Sequence, residues 1–407
     1  MFLGDLWSGL MAQEGGYMKE KKAKFLLVLA LLVLTMSLPV YAKSYTAKIG
    51  SKKYTSIAAA LKAVKKKQTI ILLKDATLPD DLDEYLNGRK IVINLKKHKL
   101  RMPRTFFGVL KKSDLTLMNG TILPSKSTNI ASQYFYLQKK SKLTIKNCKI
   151  TETVKNNKNN YIIFKFEGKG VTANFINTTF ETTYKGSGAY GINTIAFRIT
   201  DKAKVVIKGG LFSKKRLDNA GGTLKIDGTT LKNCIIYNSA DGGEKTVTST
   251  LDLKKVDFRG SIWNHSKMVF RSGKISYGDS AQVNFSNPAP LVNKWKAELV
   301  MNGGEIYHAD SSAVSNGGTF TMNGGSIRSD DSSEYGGAFT NNGTFIMNGG
   351  RIYAPNTYAL YCEGESSAKL NGGTIETGTY RACHGNYEGT GTKIIKKEEE
   401  TEADYNY

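Results

Sequence analysis

The chain has 407 residues, with 58 Lys and Arg against 35 Asp and Glu, and a formal net charge of +23 at pH 7. Its 41 Gly and only 7 Pro predict many tight turns, and its 21 Tyr and 17 Phe supply strand formers. Four Cys without CxxC spacing exclude a disulfide-dense scaffold and a typical zinc site. The composition therefore favours a β-rich chain that is held by its apolar core and that attracts anions.

An export signal stands near the start of the chain. Four lysines within residues 19–24 precede an apolar run from Phe25 to Leu34, and a small-residue site ends at Ala42. We expect a signal peptide over 18–42, cleaved after Ala42, because the run is shorter than the ~20 residues that a bilayer span needs. An uncleaved anchor is the alternative. Residues 1–17 do not fit the signal-peptide pattern of a basic start followed by an apolar core, so we expect translation to start at Met18. After cleavage we expect a secreted product without a membrane span.

Residues 43–92 are expected to form an N-terminal cap. A short helix is predicted within residues 55–65, where apolar side chains recur at helical spacing: Ile57, Ala60, Leu61 and Val64. Thr55 or Ser56 is available as its N-cap, and a strand is predicted to follow at Thr69–Leu73.

An internal repeat dominates the rest of the chain. Four segments nearly repeat one another: Leu299–Ile306, Phe320–Ile327, Phe345–Ile352 and Leu370–Ile375. The same pattern extends back to Ile93, with its first turn position at 97, 119, 147, 177, 209, 228, 255, 272, 303, 324, 349 and 372. These markers predict about twelve coils over 93–395. Two intervals between 209 and 272 are short for a coil, and the likeness of Cys148 to Cys234 would instead move the marker at 228 to 233.

The repeat unit has a simple physical interpretation. In Phe320-Thr321-Met322 the outer pair faces one way and Thr321 the other, which is typical of a half-buried strand. Asn and Gly follow because they tolerate the left-handed backbone of a tight corner. One such strand cannot bury its apolar face alone, so stacked coils are expected to align like side chains into ladders.

This repeat resembles the pectin-lyase-like superfamily, whose coils read much like Leu143–Ile150, and Tyr54–Ile57 resembles its N-terminal cap. The resemblance covers about 45–395. It implies an all-β, single-stranded, right-handed parallel β-helix with a short capping helix. The superfamily includes lyases, hydrolases, phage tailspikes and adhesins, so the resemblance does not imply one activity. Its lyases use Arg or Lys with calcium, and its hydrolases use paired Asp.

Candidate catalytic side chains are sparse. An acidic loop precedes the first coil, with two arginines shortly after it: Asp80, Asp81, Asp83, Glu84, Arg101 and Arg104. A second acidic cluster is Asp330, Asp331 and Glu334. Neither matches the superfamily's catalytic motifs, and solvated acidic loops explain both. Asp80, Asp81, Arg101 and Arg104 are kept as candidate contacts to a polyanion or acidic sugar. No cofactor is expected, and calcium enters only if the chain is a lyase.

The remaining polar motifs have structural explanations. The histidines lack a second metal ligand at a suitable spacing and are predicted to be structural: His98, His265, His308 and His384. Cys148 and Cys234 are expected to be small buried residues in a ladder. Tyr134-Phe135-Tyr136 could stack on sugar rings or lie in the core.

Charge is divided unevenly along the chain. Residues 43–300 carry +29 and residues 301–407 carry −7, including an acidic tail over 396–407 that is expected to be disordered. We expect a non-enzymatic, adhesin-like surface or matrix protein whose basic coils bind an anionic cell-wall polymer or polysaccharide, without specific nucleic-acid recognition. The alternatives are a lyase or hydrolase of acidic polysaccharide, and a structural spacer with a merely solvated lysine surface.

A disulfide is a further possibility in the last coils. Cys362 and Cys383 are 21 residues apart, close to one coil, and equivalent positions in neighbouring coils lie about 4.8 Å apart. A one-residue slip in the alignment would turn the two side chains to opposite faces, leaving two separate thiols.

Overall fold

The structure is a computed structural model that describes residues 24–29, 44–86, 88–103, 108–124, 134–152, 162–182, 195–239, 247–277, 289–332, 337–378 and 382–395. It has two units, Met1–Ser44 and Tyr45–Tyr407. In the first, residues 24–29 are helical and exposed. No helix in the described part of the chain is long and apolar enough to cross a membrane. The N-terminal extension 1–17, which we expect not to be translated, the cleavage site at Ala42 and the tail 396–407 lie outside the described residues.

The second unit is a parallel β-helix in which each coil adds one strand to each of three parallel sheets. The first sheet contains β3 (Thr69–Leu72), β5 (Lys90–Asn94), β8 (Asp114–Leu123), β10 (Lys142–Glu152), β12 (Thr172–Thr182), β14 (Lys204–Ser213), β16 (Thr223–Asp227), β18 (Thr250–Lys254), β20 (Lys267–Phe270), β23 (Glu298–Met301), β26 (Thr319–Met322), β29 (Thr344–Met347), β32 (Ser367–Leu370) and β35 (Tyr387–Glu388).

The second sheet contains β4 (Ala76–Thr77), β6 (Lys99–Arg101), the second halves of β8, β10, β12 and β14, the first parts of β17 (Thr230–Ser239) and β19 (Val256–Asn264), then β21 (Gly273–Ser276), β24 (Glu305–His308), β27 (Ser326–Ser329), β30 (Arg351–Ala354), β33 (Thr374–Thr377) and β36 (Lys393–Ile395). The third contains β7 (Gly108–Lys111), β9 (Phe135–Gln138), β11 (Ile162–Glu167), β13 (Ile195–Thr200), β15 (Arg216–Ala220), the second parts of β17 and β19, β22 (Leu291–Asn293), β25 (Val314–Asn316), β28 (Gly337–Asn341), β31 (Tyr358–Cys362) and β34 (Cys383–His384).

The strand register confirms the repeat. Leu143 pairs with Leu115 in one neighbouring coil and Ala173 in the other, and all three are buried. Every marker position lies at the corner between the first and second sheets. The structure has one more coil than predicted at each end, formed by β3 with β4 at the front and by β35 with β36 at the back. The marker at 228 is correct because β16 pairs with β14 and β18.

The short intervals are complete coils whose connections have shrunk to corners. In β19 the chain turns from the second sheet to the third at Gly260 alone, and His265–Ser266 lead directly to β20. Asn233 is a corner of a different kind, between the second and third sheets, and its likeness to Asn147 reflects only a shared left-handed backbone. The interval of 17 residues is therefore enough for one turn of this β-helix.

The front of the solenoid is capped as predicted. Helix α1 (Ile57–Ala63) begins after Ser56, whose hydroxyl accepts a hydrogen bond from the Ala59 amide, and it buries Ile57, Ala60 and Leu61. An antiparallel hairpin of β1 (Ala47–Ile49) and β2 (Lys52–Tyr54) covers the edge of β3. A second short helix, α2 (Leu82–Leu86), was not predicted. It contains Asp83 and Glu84, which the sequence placed in a loop.

Two other predictions can be compared with the register. Cys383 pairs with Leu360, two residues before Cys362, which puts the two cysteine Cα atoms about 8 Å apart by strand geometry, beyond the ~7 Å a disulfide accepts. All four cysteines are free in the structure. Tyr134 and Phe135 are buried in the core, stacked on or tilted against Phe164, whereas Tyr136 faces outwards.

Candidate functional site

The corner between the third and first sheets forms a continuous edge along the solenoid. Each coil crosses it through a small buried residue, as at Ser113, Ser141 and Ala203. Backbone hydrogen bonds stack these corners on one another: the Lys142 amide donates to the Ser113 carbonyl at 2.8 Å, and the Thr223 amide donates to the Ala203 carbonyl at 2.9 Å. The residues just before the buried position are therefore aligned and point away from the core.

In the first coils this edge is lined with exposed lysines, and we call it the basic edge. Its lysines lie in four successive coils: Lys112, Lys139, Lys140, Lys142, Lys169, Lys202 and Lys204. Neighbouring coils are about 4.8 Å apart, so their ammonium groups form a line along the solenoid axis. Such a line produces a positive potential that extends parallel to the axis.

The backbone at this edge is unusual for lysine. Lys112, Lys140 and Lys202 have φ values of 53°, 62° and 65°, a left-handed conformation that favours Gly and Asn. Ten of the fifteen non-glycine residues with positive φ in the described chain are lysines. Lysine has no short polar side chain that could compensate this conformation locally. These corners therefore contain lysine at positions where glycine would adopt the same backbone with less strain. This indicates that the positive charge itself has a function.

The edge lysines are not neutralised by ion pairs within the structure. Among the described residues, no carboxylate lies within ion-pair distance of Lys112, Lys140 or Lys202. Lysines elsewhere behave differently: Lys149 pairs with Glu181 at 2.9 Å. Asp114 and Asp201 share the edge strip, so the edge is strongly but not purely basic.

The charge of the edge changes sign towards the C-terminal end. Its later corners carry Lys294, Trp295 and Lys296, whereas the last described ones carry Glu363 and Glu365. The corner backbone is continuous throughout, because the Ser367 amide donates to the Gly343 carbonyl at 3.2 Å. The charge split seen along the sequence is therefore also a split along one physical edge.

The outer face of the third sheet, next to the edge, carries paired charges and aromatic rings. Lys165 lies 2.7 Å from the Glu167 carboxylate and 4.6 Å above the Tyr136 ring. Glu167 also accepts a hydrogen bond from the Tyr136 hydroxyl. Hydrogen bonds from both partners hold the pKa of Glu167 below its usual value. This group is internally neutralised.

A second group on the same face begins two coils after Lys165. Arg216 donates to both carboxylate oxygens of Asp218, at 2.7 and 3.1 Å, and its guanidinium lies 4.6 Å from the Tyr237 ring. Tyr237 stacks on Trp263 at 6.2 Å, and Lys294 covers the other side of Trp263 at 4.7 Å. Because these ring faces contact neighbouring side chains, the group acts as outer-face packing.

Two of the charged residues predicted near the first coil make structural contacts. Asp80 and Asp81 are exposed, and the nearby Asp83 forms an ion pair with Lys111 at 3.1 Å. Arg101 is half-buried and donates to the Pro124 carbonyl at 2.9 Å. Arg104 lies outside the described residues. Arg101 thus supports the backbone of the next coil.

The distal acidic cluster is more connected than the sequence suggested. Asp330 accepts two hydrogen bonds from Arg328, at 2.8 and 3.0 Å, and one from the Tyr307 hydroxyl at 3.0 Å. Burial first, and then Asp330, raises the pKa of Tyr307, so its hydroxyl is a weaker acid and stays protonated. Glu334 lies outside the described residues. Asp330 is therefore a neutralised partner of Arg328.

His308 is buried beneath this cluster and does not fit a metal ligand. Its Nδ1 accepts the Asp310 amide hydrogen bond at 2.9 Å, so in the neutral ring Nε2 carries the proton. Nε2 has no hydrogen-bond partner, and the ring stacks on Tyr277 at 4.8 Å. Within the described ranges, no group of three or more His, Cys, Asp or Glu is placed to hold a metal ion.

The three buried cysteines lack the properties of reactive thiols. Burial raises the pKa of Cys234 to about 12 and also raises the pKa values of Cys148 and Cys362. The thiols of Cys148 and Cys234 instead donate to carbonyls of neighbouring coils.

Sequence reasoning found the basic region but missed the edge. The signal was present: Lys111-Lys112-Ser113 before Asp114-Leu115 recurs as Lys139-Lys140-Ser141 before Lys142-Leu143, one coil later. Counting charge over a long segment conceals this periodicity. Comparison of the chain with protein-family models, with curated proteins and with solved structures found no match.

Proposed function

We propose that the mature chain is a secreted, non-enzymatic β-helix protein that holds an anionic polymer along its basic edge. The observation that supports this most is the row of exposed lysines in four successive coils, three of which place a lysine in the left-handed conformation that glycine would adopt with less strain: Lys112, Lys140 and Lys202. A linear polyanion lying along the axis meets a new ammonium group at each of the first four coils and again at the corner of Ala297. This geometry supports the proposed adhesin-like role and an anionic cell-wall polymer or polysaccharide as the ligand.

Export and family membership are parts of the same proposal. The basic start, apolar run and small-residue site ending at Ala42 support cleavage and release to the extracellular side. The coil sequence and the parallel β-helix support a place in the pectin-lyase-like superfamily. The neutralised carboxylate of Asp330 and the contact of Arg101 with the Pro124 carbonyl support a binding role over a lyase or hydrolase.

The test replaces three edge lysines by the residue their backbone favours. Lys112→Gly, Lys140→Gly and Lys202→Gly together remove three charges without adding strain, so the fold should persist. The matched control is Lys96→Gly, Lys97→Gly and Lys255→Gly, which removes three exposed left-handed lysines from the corner between the first and second sheets.

Retention on a polygalacturonate matrix is measured against salt for the mature protein and both variants. Salt should elute the protein because exposed charges are screened within about 10 Å at 0.1 M salt. We expect the wild type to elute at higher salt than the edge variant, because it keeps three more charges on the edge. The control variant should elute near the wild type. Equal losses in both variants would mean that only net charge matters. Formation of unsaturated product or new reducing ends during incubation would overturn the non-enzymatic assignment.

A further inference from the structure

An exposed indole lies on the same edge as the lysines. Following the corner hydrogen bonds from Ala203, the chain reaches the corner at Ala297 four coils later, about 19 Å along the axis. The residues just before Ala297 are Lys294, Trp295 and Lys296. Lys296 has the left-handed φ of 62° that Lys112, Lys140 and Lys202 also adopt.

Trp295 differs from the other aromatic residues of this region. It is 73% exposed, whereas Trp263, one coil earlier, is packed between Tyr237 and Lys294. The Lys296 ammonium lies 3.9 Å from the centre of the Trp295 ring. In the part of the chain that the structure describes, Lys294 and Lys296 have no carboxylate partner. The next corner presents Gly317, which has no side chain to cover the indole.

We infer that Trp295 and its flanking lysines form a subsite for an acidic sugar, and that the anionic polymer is an acidic polysaccharide. This inference rests on the proposed function. A pyranose ring has an apolar C–H face that suits an indole, and its carboxylate or sulfate suits an ammonium group beside that indole. The corner thus offers both contacts that an acidic sugar needs, in line with the basic edge.

The arrangement suits a polysaccharide better than a single-stranded nucleic acid. Strands of nucleic acid are bound on several aromatic platforms, because successive bases stack one after another. Among the described residues of this edge from Lys112 to Lys296, Trp295 is the only exposed Trp, Tyr or Phe. One sugar contact that fixes the position of a long ionic chain is consistent with this pattern.

The experiment measures affinity of the mature protein for oligogalacturonates and for linear polyphosphate, which has charge but no sugar ring. Trp295→Ala should weaken oligogalacturonate binding about five-fold, as expected for loss of an aromatic contact. Trp295→Phe should restore most of it, and polyphosphate binding should not change. Tyr387→Ala removes another exposed aromatic residue, 47% exposed in the last coil, and is the matched control.

Tryptophan emission gives an independent measurement, since the mature chain keeps only Trp263 and Trp295. Oligogalacturonate should shift the emission of the wild type but not that of Trp295→Ala. Unchanged oligogalacturonate affinity in Trp295→Ala, with weakened binding in the triple edge variant, would overturn this inference and leave the proposed function standing. Unchanged binding in both variants would overturn both. Tighter binding of oligothymidylate, lost in Trp295→Ala, would assign the edge to nucleic acid and overturn the sugar subsite.

Discussion

At the scale of single residues, the second glycine of each Asn-Gly-Gly turn is required by its surroundings. Gly325, Gly350 and Gly373 have φ values of 91°, 94° and 95°. A Cβ atom on Gly350 would lie 2.6 Å from the Met322 methyl and 2.7 Å from the Gly325 carbonyl oxygen. The repeat that reveals the fold in the sequence therefore records a close approach between coils, where only a hydrogen atom fits.

Gly350→Ala should destabilise the protein by about 1–3 kcal/mol, because it combines left-handed strain with a clash against backbone. The measurement is the urea midpoint of the mature chain. Gly317→Ala is the matched control, since its φ is not positive and its new Cβ would meet only ordinary contacts at 3.7 Å. Equal midpoints for the two variants would contradict the close-approach explanation.

His308 should make stability depend on pH. The side chain is only 2% exposed, and burial lowers its pKa below the usual 6.5, although Asp310 and Asp331 oppose the shift. The folded state therefore binds fewer protons than the unfolded state below pH 6.5. The stability that neutral His308 contributes is complete above pH 6.5, and it is lost as the pH falls through the lowered pKa of His308 in the folded state.

Comparison of urea midpoints at about pH 7.5 and about pH 5.5 tests this sign. The wild type should lose stability at the lower pH, and His308→Gln should lose less because it cannot be protonated. His265→Gln is the control, since burial and then Lys294 also lower the pKa of His265 but its side chain is exposed. A His308→Gln variant with the full pH dependence would show that other groups are responsible.

At the scale of elements, two kinds of asparagine ladder hold the corners together. One is buried at the ends of the third-sheet strands and consists of Asn219, Asn238, Asn264, Asn293, Asn316 and Asn341. Each side-chain amide donates to the next oxygen at 2.7–2.8 Å. The other kind lies at the outer corner between the first and second sheets, as where Asn323 donates to Asn302 at 2.9 Å. The buried ladder closes an otherwise unsatisfied corner.

Asn264→Ala should cost about 3 kcal/mol, because it leaves the buried amides of Asn238 and Asn293 without one partner each. Asn323→Ala should cost less than about 1 kcal/mol, since water can replace the exposed hydrogen bonds. Denaturant unfolding of both variants measures the difference. A small cost for Asn264→Ala would mean that the buried ladder is not a stabilising element.

Much of the fold could be predicted from the sequence, and the limits have physical causes. The coil corners were found because apolar alternation and Asn-Gly turns are local patterns, visible within eight residues as in Phe320–Ile327. The buried ladder was missed because its members recur at intervals of 19 to 29 residues, with loops of varying length between them. The basic edge was missed for the same reason.

The disulfide illustrates the problem of register. Spacing alone placed Cys362 and Cys383 one coil apart, but a shift of two residues separates their Cα atoms even though the strands are neighbours. Cys362 instead accepts the last hydrogen bond of the buried ladder, from the Asn341 amide at 3.7 Å. A local pattern cannot predict which residue of a strand lies opposite which.

Thiol titration of the unfolded, unreduced mature protein tests the pairing directly. The register predicts four free thiols, because Cys383 lies opposite Leu360 and the other three cysteines are buried in separate coils. Two free thiols, with a crosslinked peptide that contains Cys362 and Cys383, would show that the last coils shift their register to form the bridge.

At the scale of the whole molecule, the solenoid places charges that recur along the sequence in a line along its axis. The lysines of the basic edge occupy the corners from Ser113 to Ala203, and lysines return on the same edge at the corner at Ala297, so the edge spans seven coils or about 34 Å between its first and last lysines. Beyond it the same edge becomes acidic at Glu363 and Glu365. A polyanion that lies along the axis should therefore gain contacts up to this length and be repelled further on.

The dependence of affinity on polymer length should follow this geometry. Oligogalacturonates of increasing length should bind the mature chain progressively more tightly until they span about 34 Å, the reach from Lys112 to Lys296. Longer chains should add little for one protein molecule and should begin to bind a second one. Isothermal titration of a defined length series measures both affinity and stoichiometry. The triple variant of Lys112, Lys140 and Lys202 serves as control, because the gain with length should become shallower when three of the seven lysines of the basic edge are lost. An affinity that stops rising after one or two sugars would show that binding is local and that the edge does not act as a continuous track.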